Sequence, residues 1–444
     1  MKRQLMAQLV TWKDDPQRKP LVLDGARQTG KTWIAREFGR THFKRVAYVS
    51  LQDDPAMQEL FAGSLRPERL ISGIALAAGT RIDPADTLIV LDEVQEVPHA
   101  VESLKYFAEE APQYPIIATG STLGITIHRN VSFPVGKVDV LRLYPFSFRE
   151  FLNACGQDQL TQILESGDTD LMTVFHERFM EYLKYYMVVG GMPEAVQAFI
   201  DTYPGVDFER ITRIQTAIEH GYRSDFSKYP DDMPQGFALR LTQLWDSLPQ
   251  QLARETKKFT YSAIKPGARG REYDLAIQRL QDSSLVTQVP RARTVEYPLP
   301  MFVDRSAFKL FTMDTGLLRE MSGIEPQTIL EGDKVFRTAK GALAEQLVCQ
   351  ELVAAGFEPY YWTDTNAAHE LDFLVQIDGR VMPIEVKAGG NLKSTSLKYA
   401  MRKFGITSAV RFSSLPPRHD GAIIDLPLYA VSTLKSRPLQ PQKQ

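Results

Sequence analysis

The first third of the chain alternates short apolar runs with helically spaced ones. Residues 21–23 (LVL), 87–92 (TLIVLD) and 114–119 (YPIIAT) are compact apolar runs, and 45–51 (RVAYVSL) alternates apolar with polar. Each reads as a strand, and the longer stretches between them carry helical periodicity. Strands alternating with helices predict a parallel sheet in an α/β domain. Residues 151–200 and 205–228 then read as helices, broken by Gly190–Gly191–Met192–Pro193. Residues 236–253 predict a helix and a turn, and 271–292 a helix running into a strand. That order suits a winged helix-turn-helix; a helical linker is the alternative. Beyond it, Leu343, Leu347, Val348 and Leu352 recur at helical spacing within 338–355. Strand patterns follow at 357–364, 370–377, 380–388 and 408–414, with a helix at 394–405 between the last two. Asp378–Gly379 between the second and third is a two-residue hairpin signal.

These patterns predict an α/β multidomain chain. Its expected parts are a parallel-sheet core at 1–150, a helical lid or linker at 151–235, a winged-helix-like unit at 236–300 and a second α/β domain at 301–435. A length of 444 residues fits several domains. With 43% hydrophobic and 24% charged residues the composition is that of a globular protein. The net charge of -2 argues against a basic nucleic-acid coat but not against a local patch. Two distant cysteines supply neither a metal cluster nor a disulfide framework. No run is long enough to span a bilayer, so no membrane partner and a cytoplasmic location are expected.

The chemistry concentrates at residues 25–32, GARQTGKT, which fit G-x-x-x-x-G-K-T between a strand and a helix. In such a loop the backbone N–H groups of Gly25, Ala26, Arg27, Gln28, Thr29 and Gly30 cradle phosphates, with Trp33 just beyond. Lys31 reaches the terminal phosphates and the Thr32 hydroxyl ligates Mg²⁺. The ligand expected is ATP with Mg²⁺. Asp92 at the end of the 87–92 run is the second metal residue, and Glu93 the base that activates water. Thr119 or Ser121 is expected to sense the terminal phosphate, with Ser121 preferred. Arg129 is a candidate arginine finger for a neighbouring copy, in competition with Arg142 and Lys137; it makes a homo-oligomer a candidate state.

The order GARQTGKT, LIVLDEVQ, ATGS, FPVGKVDVLRLYPFSFREFL, YYMVVGGMPEAV, YRSDFSKY, FKLFTMDTGLL and PIEVK resembles the AAA+-type ATPases of bacteria and archaea with the C-terminal domain of unknown function DUF4143. The resemblance runs through nearly the whole chain. It implies ATP binding on a P-loop AAA+-like core at 1–150 and a restriction-endonuclease-like C-terminal domain at 301–435, and leaves the substrate open.

The C-terminal hairpin carries a second acidic set. Counting outward from Asp378–Gly379 pairs Leu374 with Pro383, Asp372 with Glu385 and Glu370 with Lys387. One face then holds Glu370, Asp372, Glu385 and Lys387, and the other the apolar Phe373, Val375, Ile377, Ile384 and Val386. Opposed carboxylates about 5 Å apart repel unless neutralised. A second Mg²⁺ held by Asp372 and Glu385, with Lys387 beside it, would do so. This is the D…E-x-K arrangement of restriction-endonuclease-like folds, and Glu345 resembles the acidic residue that completes such sites. A cross-strand ion pair is the alternative. Pro383 suggests an edge strand. DNA is a candidate partner through Arg254, Lys257, Lys258, Lys265, Arg269 and Arg271; a solvated basic loop is the other reading.

Overall fold

The computed structural model describes residues 1–120, 134–227, 234–331, 337–390 and 392–436. It separates into two compact units, Met1–Tyr144 with Arg279–Leu285, and Pro145–Gln278 with Val286–Gln444.

The first unit is built on a parallel sheet of β1 (Leu21–Asp24), β2 (Arg45–Ser50), β3 (Thr87–Asp92), β4 (Ile116–Thr119) and β5 (Asp139–Arg142), in the order β2-β3-β4-β1-β5. Alternation along each strand divides the apolar residues between two cores. Val22, Ile89 and Leu91 pack on one face, with Phe61, Leu70, Ile74 and Leu104 of the helices there. Leu21, Leu23, Leu88 and Val90 pack on the other, against Leu9, Ile34 and Phe38. Strands covered on both faces read as continuous apolar runs, which is why LVL and LIVL stand out in the sequence. Inserting β4 between β1 and β3 brings the carboxyl ends of three strands together, where ligands of such sheets bind.

The second unit begins with helices from Phe148–Ala154 onward, the longer ones spanning His176–Val189, Pro193–Thr202 and Phe208–Phe226. It then forms an eight-stranded mixed sheet in the order β12-β13-β11-β10-β9-β8-β6-β7. These strands are β6 (Val286–Ala292), β7 (Val303–Thr312), β8 (Tyr360–Thr363), β9 (Glu370–Ile377), β10 (Arg380–Val386), β11 (Ala409–Ser413), β12 (Arg418–Asp420) and β13 (Ile423–Pro427). The helices Phe237–Leu252 and Gly270–Asp282 lead into the β6–β7 pair, giving a helix–helix–hairpin order. That hairpin is also part of the large sheet, since β6 pairs with β8. The division expected at residue 300 is therefore crossed by backbone hydrogen bonds.

Packing accounts for two sequence elements that carry no obvious chemistry. A Cβ on Gly190 would lie 2.2 Å from Asp314 Oδ1, and one on Gly191 2.2 Å from the Phe146 carbonyl oxygen. Asp314, fully buried, accepts hydrogen bonds from the backbone N–H of Gly191 at 2.6 Å and of Leu317 at 3.0 Å. The Gly190–Gly191 pair and the Asp314–Gly316 turn are thus two halves of one joint, closed by Gln350 and Tyr186. Among the described residues no helix is long and apolar enough to cross a membrane.

Candidate nucleotide site and a second acidic cluster

The loop after β1 has the backbone of a phosphate cradle. Gly25 has φ +144° and Gly30 φ +94°, and a Cβ on Gly25 would stand 2.3 Å from the Leu143 carbonyl oxygen. A side chain at Gly25 is excluded by both the conformation and the space. Gly30 caps the helix Lys31–His42, whose first turn holds no acidic residue, so its positive end is uncompensated there. The Lys31 ammonium donates to the carbonyl oxygens of Gly25 at 2.8 Å and Ala26 at 2.7 Å. Burial pushes it down to about 8, against the pull of Glu93, Asp24 and Asp92. Thr29 is buried and donates to Ala26 O at 2.9 Å, and Arg3 donates to Thr29 O at 3.2 Å.

Asp92 is the centre of the site. Its Oδ1 accepts from the hydroxyl of Thr32 at 3.1 Å and from that of Thr119, and its Oδ2 accepts from Tyr48 at 2.8 Å. Four elements meet here: the first turn after the loop and the ends of β2, β3 and β4. The hydrogen-bond partners of this carboxylate named here are neutral hydroxyls, and the Lys31 ammonium acts on it through space. A hydroxyl and a carboxylate side by side are hard oxygen donors that fit Mg²⁺. Glu93 follows in a left-handed conformation, φ 55° and ψ 47°, and its Oε2 accepts from the Gln95 amide. At the ends of β1 and β5, Arg142 pairs with Asp24 at 2.8 Å.

The second cluster lies in the other unit. Glu345 from the helix Arg337–Ala354 is buried. It pairs with Lys257 Nζ at 2.5 Å and stands 3.7 Å from Lys309 Nζ. Lys309, fully buried in β7, also reaches Glu370 of β9 at 2.5 Å. Burial pushes the Lys309 ammonium down, but Glu370 and Glu345 outweigh it and hold it above the usual lysine range. Burial likewise pushes the Glu345 carboxyl up, and Lys257 and Lys309 bring it below the usual carboxylate range. Asp372 accepts from the Val386 N–H at 2.7 Å, and burial together with Glu345 pushes it up to about 7. Lys387 pairs with Glu385 at 2.6 Å.

Comparison with known proteins follows these two centres. Residues 17–152 match the model of an AAA domain, residues 180–328 a domain of unknown function, DUF8612, and residues 340–414 a domain of unknown function, DUF4143. The chain thus carries an AAA domain of the P-loop ATPase type in its N-terminal third and a DUF4143 domain towards its C-terminus. Among solved structures, the chain is similar to a Walker-type ATPase of Pyrococcus abyssi, at 15% identity over 72% of this chain and 95% of that one, with a TM-score of 0.43. The Aeropyrum pernix ORC1 protein, solved in complex with DNA, is similar at 16% identity over 72% and 91%, with a TM-score of 0.29. Cdc6p of Pyrobaculum aerophilum is similar at 12% identity over 74% and 93%, with a TM-score of 0.24. A search among curated proteins finds no match.

In the AAA domain, the structure brings Gly25 through Thr32 together with Asp92 and Glu93. Trp33 is 46% exposed. Ser121 and Arg129 lie outside the described residues. Thr119, the other sensor candidate, is buried on Asp92. Of the competing cations, Arg142 is committed to Asp24 and Lys137 to Glu109 at 3.0 Å. Tyr48 and Arg3 are site residues that the sequence reading missed. Tyr48 stands in an ordinary alternating strand, and only the pairing of β2 with β3, Ser50 opposite Asp92, brings it to the carboxylate.

In the DUF4143 domain, the hairpin turns at Asp378–Gly379 with positive φ at both residues, and its register holds from Arg380↔Ile377 to Ile384↔Phe373. The expected continuation, Asp372 opposite Glu385 and Glu370 opposite Lys387, is not formed. The Asp372 carboxylate takes the Val386 N–H, and the Lys387 N–H turns to the Phe412 carbonyl at 2.8 Å. Nor is β10 an edge strand: it lies between β9 and β11, with Pro383 inside the sheet. The expected metal set of Glu345, Asp372 and Glu385 is corrected as well. No group of three or more His, Cys, Asp or Glu among the described residues is placed to hold a metal ion. Lysine ammoniums stand against Glu345, Glu370 and Glu385 instead, and these residues do not fit Mg²⁺. Lys309 is the residue the sequence reading missed. Its signal was a lysine between Phe308 and Leu310, at a strand position whose neighbours are all apolar. Lys257 belongs to this cluster, leaving Arg254, Lys258, Lys265, Arg269 and Arg271 exposed.

Proposed function

We propose that the protein is a Mg²⁺-dependent ATPase that couples the nucleotide state of its AAA domain to DNA binding by its C-terminal elements. The observation that carries this reading is the Asp92 carboxylate, held beside the Thr32 hydroxyl at 3.1 Å directly after the phosphate cradle. Thr32 and Asp92 would hold Mg²⁺, which when bound supplies neutralisation of phosphate charge. The protein's own groups supply the rest. Lys31 exchanges the Gly25 and Ala26 carbonyl oxygens for phosphate oxygens. The loop N–H groups and the open helix end orient the triphosphate. Glu93 takes the proton of the attacking water. The Gln95 amide on Glu93 Oε2 must give way for that carboxylate to act.

DNA binding rests on the helix–helix–hairpin order of residues 237–312 and on exposed Arg254, Lys258, Lys265, Arg269 and Arg271 around the second helix. A second reading makes the DUF4143 domain a docking module without nuclease turnover. The lysines against Glu345 and Glu370 favour it.

The test is ATP hydrolysis by the purified protein with and without duplex DNA. Glu93→Gln is expected to keep nucleotide binding and lower turnover by at least about 100-fold, the usual worth of a general base, and DNA to stimulate the parent. Equal turnover in variant and parent would overturn the role of Glu93; indifference to DNA would overturn the coupling.

A further inference from the structure

The acidic cluster of the DUF4143 domain has a charge arrangement that its carboxylates alone do not suggest. Three carboxylates, Glu345, Glu370 and Asp372, converge from one helix and one strand. Two ammoniums stand among them. Lys309 bridges Glu370 at 2.5 Å and Glu345 at 3.7 Å, and Lys257 closes on the other oxygen of Glu345 at 2.5 Å. Together the two lysines bring the charge of one divalent cation, and Lys309 joins carboxylates of separate elements as a metal ion would.

Lys309 is also trapped. Its side chain is wholly buried, and its ammonium lies 5.0 Å from the Tyr361 ring centre and 6.0 Å from that of Phe373. Its strand neighbours Phe308 and Leu310 are buried as well. A divalent ion entering the cluster would meet two ammoniums, one of them wholly buried, and like charges repel strongly there. Lys387, just past the end of β10, is spent on Glu385 at 2.6 Å.

We propose that Lys309, assisted by Lys257, permanently occupies the place of a divalent cation in the DUF4143 domain, so that this cluster is a closed ionic core and not a metal-dependent nuclease centre. The inference deepens the docking-module reading above and is separate from the ATPase reading, because its readout is bound metal and not ATP turnover.

The test uses Mn²⁺ as probe, followed by its paramagnetic resonance signal in the full-length, nucleotide-free protein. The parent and Asp372→Asn are expected to bind the same number of Mn²⁺ ions, the AAA domain being common to both. Lys309→Met is expected to gain one ion, lost again when Asp372→Asn is added. A parent that loses one bound Mn²⁺ on Asp372→Asn would overturn the proposal, and so would a folded Lys309→Met that gains none. If Lys309→Met does not fold, the parent and Asp372→Asn still decide the question. Mn²⁺-dependent DNA cleavage by the parent, abolished in Asp372→Asn, would overturn it independently.

Discussion

Two buried lysines, Lys31 in the AAA domain and Lys309 on β7, are kept charged by different partners. Lys31 rests on two backbone carbonyl oxygens, which are dipoles and can be exchanged; burial wins, and its pKa is pushed down to about 8. Lys309 rests on carboxylates, and their charge overrides burial. The acids differ in the complementary way. Asp92 is held by the hydroxyls of Thr32, Tyr48 and Thr119, which orient a carboxylate without neutralising it. Glu345 and Glu370 are held by ammoniums. The lesson is that a cluster of metal-ligating residue types is not yet a site. A site leaves charge uncompensated where the ligand will bring the opposite sign, and a structural core compensates it internally.

The largest expected effect breaks this contrast at its structural end. Lys309→Ala takes the ammonium from half-buried Glu370 and leaves buried Glu345 to Lys257 alone, and removing one partner of a buried ion pair costs about 3–5 kcal/mol. Urea unfolding should show a loss of that size. The matched change in the AAA domain, Asp92→Asn, keeps an acceptor for the same hydroxyls and should cost no more than about 1 kcal/mol of stability, while sharply lowering ATP turnover. Equal stability losses in the two variants would erase the distinction between core and site.

The two regions also differed in how much the sequence disclosed. The phosphate loop and the Asp92–Glu93 strand end were legible because their spacing is local and their strands are apolar on both faces. The hairpin register was legible as far as Ile384↔Phe373, since a two-residue turn sets it. Beyond that point the Asp372 side chain competes with the backbone for the Val386 N–H, and no counting rule anticipates such a capture. Lys309 and Tyr48 escaped for a different reason. Tyr48 reaches its acid through the pairing of β2 with β3, and Lys309 of β7 reaches Glu370 of β9 although β6 and β8 stand between their strands; both are long-range properties. Pro383 misled because prolines favour edges, whereas here the strand lies inside the sheet.

The next expectation, smaller in size, sharpens the contrast through pH. Only the charged form of Lys31 attracts phosphate. Its pKa of about 8 in the nucleotide-free protein means that its proton is lost as pH rises through that value. At pH 9 roughly one molecule in ten keeps the proton, so ATP affinity should fall about tenfold between pH 7 and pH 9. Bound phosphate raises the pKa again, so binding near pH 8 should take up a proton, seen by calorimetry in buffers of different ionisation heat. Lys31→Arg should abolish that proton uptake, since a guanidinium does not titrate in this range. The Lys309 ammonium should show no such behaviour, being held up by carboxylates.

The smallest effect tests whether hydroxyls orient Asp92 or merely fill space beside it. Tyr48→Phe removes one hydrogen bond, from the Tyr48 hydroxyl to Asp92 Oδ2, and leaves the ring. A hydrogen bond to a charged group contributes about 1.5–3 kcal/mol when buried. Tyr48 is only half-buried, so a loss near 1 kcal/mol is the expectation, with water taking part of its place. If the hydroxyl orients Asp92 for magnesium, the variant should need several-fold more Mg²⁺ for half-maximal ATP turnover, with the maximal rate at saturating Mg²⁺ little changed. A rate that falls without any change in the Mg²⁺ requirement would place Tyr48 in the packing of β2 and leave Thr32 and Thr119 to set the carboxylate alone.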